Sequence, residues 1–116
     1  MSNEIPDTDP AREVRNMVRH IILWKLKESF SEEEKAAVKA GIKEGLESLK
    51  EKIPGILSIE VHTEGLASST CDLMLESSFT DEAAYRAYKT HPEHLKVANG
   101  KVRPNVDQRL CLDFQG

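Results

Sequence analysis

The first strong structural signal in the chain is the stretch MVRHIILWKL, residues 17–26. It is rich in branched aliphatic residues, and its even-numbered positions are apolar with one exception, His20. Alternation of this kind predicts a β-strand that turns one face to a core. The residues on that face are Val18, His20, Ile22, Trp24 and Leu26. We therefore expect the folded domain to begin with this strand.

The segments that follow carry alternating helix and strand signals. Ser31 and Glu34 have the spacing of a capping box, and apolar residues then recur at helical intervals until Pro54-Gly55. Later segments alternate with a period of two, as strands do, and are separated by turn residues. In chain order, the predicted elements are a strand over 17–26, a helix over 31–52, strands over 56–64 and 70–79, a helix over 80–90, a short helix over 92–99 and a strand over 106–114.

This order of elements predicts an α+β fold, the ferredoxin-like βαββαβ sandwich, because right-handed crossovers make it the default topology. In that topology the first and third strands are central and the fourth is an edge beside the first. Cys71 and Cys111 then lie on strands that are not neighbours. We expect two free thiols rather than a disulfide.

The faces of the strands suggest how the protein assembles. We assign the apolar sides of the second and last strands to the core: Leu57, Ile59 and Val61, and Val106, Leu110, Leu112 and Phe114. The opposite side of the sheet then combines Ile21, Leu23 and Met74 with charged residues, including Asp107, Arg109, Cys111 and Asp113 of the last strand. This face either meets water or packs against a second copy, and we favour a homodimer through the sheet faces.

Length and charge limit the classes of function. The 116 residues suffice for one domain, which we place at 17–116 after a disordered tail at 1–16. With 20 acidic and 16 basic residues, a net charge of −4 and no basic block, no nucleic-acid partner is expected. We find no apolar run long enough for a membrane span and no signal peptide, so we expect no membrane association and a cytoplasmic location.

The residues best suited to chemistry form the segment YKTHPEH, residues 88–94. Pro92 should end one helix near Thr90 and begin another, which places His94 in a first turn. Unpaired N–H groups and the helix dipole there favour a neutral imidazole and an anionic ligand. The alternative is a polar corner that only satisfies the helix break. Pro92 also separates His91 from His94, so we predict no metal site.

Several segments together resemble the stress-responsive dimeric α/β barrel domain family, known as Dabb. They are residues 18–27 (VRHIILWKLK), 53–56 (IPGI) and 72–79 (DLMLESSF), and Tyr88 followed by His91-Pro92-Glu93-His94. The resemblance covers residues 17–114. It implies a role in stress response and a ferredoxin-like subunit whose sheet meets a second copy to form a dimeric α+β barrel.

Within that family, the chain resembles plant polyketide cyclases that form olivetolic acid, through the pattern Tyr-x-x-His-Pro-x-His. The resemblance implies catalytic roles for Tyr88 and His94 and a pocket role for His20. We add Trp24 and His91 as candidate ligand-binding residues.

Three functions stay open at this stage. They are a homodimer that binds a small organic ligand, an enzyme with cyclase-like or cofactor-free monooxygenase-like acid/base chemistry, and a purely structural oligomer. We predict no cofactor.

Overall fold

The structure, a computed structural model, describes residues 15–116. The predicted disordered tail lies outside the described residues, apart from Arg15 and Asn16. The strands are β1 Val18–Leu26, β2 Ile56–His62, β3 Leu73–Phe79 and β4 Val106–Gln115, and the α-helices are α1 Glu32–Glu47, α2 Glu82–Thr90 and α3 Pro92–Val97. Short helical turns at Ser48–Glu51, Ala98–Val102 and Arg103–Asn105 complete the helical layer. The predicted order of elements is confirmed.

Local sequence signals account for the helix ends. At the start of α1, the Ser31 side chain accepts from the Glu34 backbone N–H, and the Glu34 side chain accepts from the Ser31 N–H. The α2 helix ends at Thr90, where His91 is extended and Pro92 occupies the first position of α3. The capping box predicts the start of α1. The restriction that Pro92 imposes on His91 predicts the end of α2 and the start of α3.

The four strands form one antiparallel sheet in the order β2-β3-β1-β4. The two central strands and the edge position of β4 are as the topology predicts. The even-numbered side chains of β1 are buried beneath the helices, where they meet the inner faces of α1 and α2. Both cysteines are free thiols. None of the helices formed by residues 15–116 is long and apolar enough to cross a membrane.

The assignment of the faces of β4 was wrong for Leu110, Leu112 and Phe114, whereas Val106 packs against the core as predicted. The register pairs Leu112 with Ile21 and Asp113 with His20, so the leucines face away from the helices and Asp113 faces toward them. Leu110 and Leu112 are 66% and 65% exposed. Alternation separates the two faces of a strand, but only the pairing register decides which face meets the core. Arg109 and Cys111 also lie on the helix side, opposite Trp24 and Ile22.

The assignment of Leu57 was also wrong. The pairing of β2 with β3 shifts register between Ile56 and Ser58. A β-bulge of this kind inserts one extra residue and changes the alternation locally. Ile56 and Ile59 are both buried, whereas Leu57 is 45% exposed. A strict period of two could not anticipate this bulge.

The open face of the sheet is divided into an apolar and a charged part. The apolar part, which we call the sheet patch, consists of Ile21, Leu23, Met74, Leu110, Leu112 and Phe114. The charged part lies toward β2, where the His62 ring is 2.9 Å from a Glu76 carboxylate oxygen. Exposed apolar groups gathered on one face are typical of an interaction surface.

Candidate functional site

A cavity of about 450 Å³ lies between β1 and the segment that runs from α2 to the turns after α3. We call it the helix-side cavity. Four of the predicted site residues line it: His20, Trp24, Tyr88 and His94. The fifth, His91, is not part of its lining. The complete lining is His20, Ile22, Trp24, Leu46, Leu75, Tyr85, Tyr88, Lys89, His94, Ala98, Val102, Arg103 and Arg109.

Tyr88 contributes a buried hydroxyl with no hydrogen-bond partner among the described residues. Its side chain projects from α2 and packs on Phe79 and His94, with ring centroids 4.9 Å and 4.3 Å away. The residue is 1% exposed. Burial raises the pKa of the Tyr88 phenol well above its usual value, so the group stays protonated and acts as a donor.

His94 is held in one tautomer by the end of α2. Its Nδ1 lies 3.2 Å from the Lys89 carbonyl oxygen, which can only accept, so Nδ1 carries the proton. Nε2 is then the nitrogen with the lone pair. Burial lowers the pKa of His94, the hydrogen bond to Lys89 opposes this effect, and the nearby His20, Arg103 and Arg109 lower the pKa further. The imidazole is therefore neutral at pH 7 and can accept a proton.

His20 belongs to a hydrogen-bond network centred on Asp113. Its Nδ1 donates to Asp113 over 2.5 Å, the Tyr85 hydroxyl donates to the other carboxylate oxygen over 2.8 Å, and the Cys111 thiol lies 3.3 Å from Asp113. Burial raises the pKa of Asp113, but these hydrogen bonds lower it by more, so the carboxyl is charged. For His20, burial lowers the pKa and Asp113 opposes the shift only in part.

The sequence analysis missed Tyr85 and Arg109 as parts of this site and placed Asp113 on the wrong face. Tyr85 lies three residues before Tyr88 on α2, a spacing that puts two side chains on one side of a helix. That spacing was a usable signal. Asp113 and Arg109 could be found only from the pairing register of β4.

His91 has a structural role at the site. Its Nδ1 accepts the Glu93 backbone N–H over 3.1 Å, which caps the first turn of α3. The cap fixes the start of the helix that carries His94. His91 therefore acts on the helix-side cavity through the position of α3.

The network around Asp113 also contains the donor atoms of a possible metal site. One atom each from His20, Cys111 and Asp113 lies within 4.8 Å of the others. Ligand atoms around a tetrahedral zinc are about 3.3 Å or more apart, given zinc–nitrogen bonds of about 2.0–2.1 Å. The His20–Asp113 distance of 2.5 Å is shorter, so binding an ion would require these two side chains to separate.

The lowered histidine pKa values predict how stability depends on pH. Folded His20 and His94 bind a proton less readily than in the unfolded chain, where their pKa is near 6.5. The free energy of unfolding should therefore be greatest above pH 6.5 and fall as the pH drops toward 5. Urea denaturation at fixed protein concentration between pH 8 and 5 measures this slope. His94→Gln should reduce it, and a flat profile in the parent protein would contradict the prediction.

Comparison with known proteins agrees with the fold. A solved dimeric protein of unknown function with a ferredoxin-like fold, from Bacteroides fragilis NCTC 9343, is 33% identical with a TM-score of 0.82, over 89% of this chain and 99% of that chain. The hydroxynitrile lyase from Passiflora edulis is 18% identical with a TM-score of 0.68, over 88% of this chain and 94% of its own. The likeness to the lyase shows the fold alone.

A putative antibiotic biosynthesis monooxygenase from Bacteroides thetaiotaomicron VPI-5482 shares the same fold, with 19% identity and a TM-score of 0.68 over 89% of this chain and 91% of its own. No curated protein matches the chain. The family model of the stress responsive A/B barrel domain matches residues 18–115. This match runs from the start of β1 to the end of β4 and includes α1, α2 and α3. The chain therefore belongs to the stress responsive A/B barrel domain family, Dabb.

Proposed function

We propose that the protein is a homodimer that binds a small organic ligand in the helix-side cavity. The observation that carries this proposal is the unpartnered hydroxyl of Tyr88. Leaving a polar group buried without a hydrogen bond costs about 1–3 kcal/mol. A ligand oxygen that accepts from Tyr88 would recover that free energy. An orphaned donor in the wall of a cavity therefore favours binding over a purely structural role.

The rest of the lining supports the same proposal. The wall combines six apolar residues from the sheet and helices with polar groups that converge on the same space, and small-molecule sites use both kinds of group. The polar groups of the lining include the neutral His94 and the hydroxyl of Tyr88. The Tyr88 hydroxyl can donate to a carbonyl oxygen of a ligand, and Nε2 of His94 can accept from a ligand hydroxyl. The volume of about 450 Å³ is within the usual range of roughly 300–1,000 Å³.

The sheet patch supports the dimer. Leu110, Leu112 and Phe114 of β4 are exposed beside Ile21 and Leu23 of β1. An isologous interface would bury this patch on both copies by a two-fold operation. The relative from Bacteroides fragilis is itself described as dimeric.

Tyr88→Phe tests the ligand-binding role. We expect the ligand-free variant to be more stable than the parent by about 1 kcal/mol, because the buried orphan hydroxyl is gone. The same variant should bind a carbonyl ligand about tenfold more weakly, because one hydrogen bond is lost. Urea denaturation measures the first effect. The fluorescence of Trp24, the single tryptophan of the chain, measures the second in titrations with 2,4-nonanedione.

Tyr85→Phe is the matched control for this experiment. Its hydroxyl donates to Asp113, so its removal should destabilise the protein. The opposite signs of the two changes distinguish an orphan hydroxyl from a satisfied one. A loss of stability in Tyr88→Phe, or unchanged affinity, would count against the role assigned to Tyr88.

A second candidate function is catalysis, and the tautomer of His94 favours it. With Nδ1 bonded to Lys89, Nε2 could remove a proton from a carbon between two carbonyl groups, while Tyr88 donates to the developing oxyanion. The carbanion would attack a second carbonyl of the same molecule, and the imidazolium would return the proton to the new alkoxide. The result is a cyclase-like aldol reaction. Reaction of the carbanion with dioxygen would instead give a peroxide, which takes up the proton from the imidazolium and loses water to leave a new carbonyl, as in monooxygenase-like chemistry.

His94→Ala separates catalysis from binding. On a panel of poly-β-keto thioesters, an enzyme should lose about 100-fold or more of its turnover when the general base is removed, while remaining a dimer. His62→Ala, on the open sheet face, is the control and should retain turnover. Absence of turnover in the parent protein would exclude the cyclase-like reaction on these substrates.

A further inference from the structure

The helix-side cavity differs in charge from the protein as a whole. The chain carries a net charge of −4. The side chains that line the cavity include Lys89, Arg103 and Arg109 but no aspartate or glutamate. Cationic side chains around a cavity raise the local concentration of anionic ligands.

The cations of the cavity are not paired with carboxylates in the part of the chain that the structure describes. Among the described residues, none of the three forms an ion pair. Lys89 lies 5.4 Å above the Tyr85 ring, and Arg103 donates to the Asn99 side-chain oxygen. The carboxylate of Asp113 already accepts from His20 and Tyr85 and lies outside the lining.

The cavity also separates charge from apolar surface. The cationic residues are exposed, whereas the apolar wall is buried. That wall is formed by Ile22, Trp24, Leu46, Leu75, Ala98 and Val102. A ligand that fills this space would hold an apolar body inside and a charged group at the solvent side.

We propose that the ligand of the helix-side cavity is an amphipathic anion, with an oxyanion head group bound by Lys89, Arg103 and Arg109 and an apolar chain or ring against the buried wall. This inference rests on the proposed ligand-binding function and deepens it by naming the ligand class. Arginine guanidinium groups match the geometry of carboxylates and phosphates through paired N–H donors. A carbonyl near the head group would still lie within the same cavity as Tyr88 and His94.

Four probes with the same chain test the charge preference on the full-length protein. They are octanoate, octyl phosphate, octanol and octylammonium, each titrated below its micelle concentration with Trp24 fluorescence as the readout. We expect octanoate or octyl phosphate to bind at least tenfold more tightly than octanol, and octylammonium to bind more weakly than octanol. The ratio of the two anions identifies the preferred head group. Raising the salt concentration should weaken anion binding but not octanol binding.

Arg103→Met and Arg109→Met keep most of the apolar stem and remove the charge. Each should weaken binding of the preferred anion fivefold or more and leave octanol binding unchanged. Arg86→Met is the control, since Arg86 pairs with Glu82 on α2 outside the cavity. Melting temperatures confirm that all three variants fold.

The outcomes distinguish this inference from the function on which it rests. Equal affinity for octanol and the two anions, or anion binding unchanged in both cavity variants, overturns the anionic ligand class and leaves the cavity as a binding site. No binding by any of the four probes overturns both.

Discussion

Leu112→Glu is expected to convert the proposed dimer into a monomer. Leu112 is 65% exposed on the sheet patch. Because the proposed interface is two-fold symmetric, it would bury two glutamates, one from each copy. Burying an unpaired carboxylate costs several kcal/mol, so the pair should weaken association by at least about 4 kcal/mol, roughly a thousandfold in the dissociation constant. Size-exclusion chromatography with light scattering, over a range of protein concentrations, measures the change directly.

Leu66→Glu is the control for this experiment. Leu66 is 81% exposed in the loop between β2 and β3, so the same substitution adds a charge without touching the sheet patch. This variant should remain dimeric. If Leu112→Glu stays dimeric at low micromolar concentration, the interface does not involve the sheet patch.

Asp113→Ala is expected to lower the free energy of unfolding by about 3 kcal/mol. The substitution removes the acceptor of His20 and Tyr85, and both donors belong to buried side chains. Each lost hydrogen bond to a charged group costs about 1.5–3 kcal/mol. Because the Asp113 side chain is 36% exposed, solvent screens its charge, and we expect the lower value for each of the two bonds. The pKa of His20 should fall further, because the carboxylate no longer opposes the effect of burial.

Urea denaturation and an NMR titration of His20 measure these two effects. Asp107→Ala on the same strand is the control, since Asp107 is exposed beside the irregularity between β1 and β4. It should change stability by less than about 0.5 kcal/mol. A neutral effect of Asp113→Ala would mean that water satisfies His20 and Tyr85 as well as the carboxylate does.

The fold was predictable because its signals are local. The capping box at Ser31, the break at Pro92 and the alternation in β1 each depend on a few neighbouring residues. Together they gave the order of elements, and chain topology then gave the order of strands. The comparison with ferredoxin-like structures agrees with that result.

The inward face of β4 and the position of Leu57 in β2 were not predictable, because both depend on pairing. The prediction that Leu110 and Leu112 are core residues assumed that the apolar side of each strand packs against the helices. A surface that packs against another molecule has the same alternation as one that packs inside. Leu57 departs from its predicted side because of a β-bulge, which nothing in the alternation of residues 56–64 indicates.

The site was predictable only in its contiguous part. Tyr88 and His94 lie within one short segment, and the structure brings both to the cavity lined by His20 and Trp24. Asp113 is distant in sequence from His20, and their contact depends on the register of β1 and β4. The positive charge of the cavity was missed for the same reason, since Arg109 had been placed on the other face.

The two faces of β4 imply a reciprocal relation between assembly and ligand binding. Even-numbered residues of the strand carry the sheet patch, while odd-numbered residues carry Arg109 and Asp113. A partner that restrains the first set also restrains the backbone that positions the second. Any coupling between the proposed dimer and the proposed ligand must be reciprocal, so the factor by which dimerisation changes ligand affinity is also the factor by which a bound ligand changes dimer affinity.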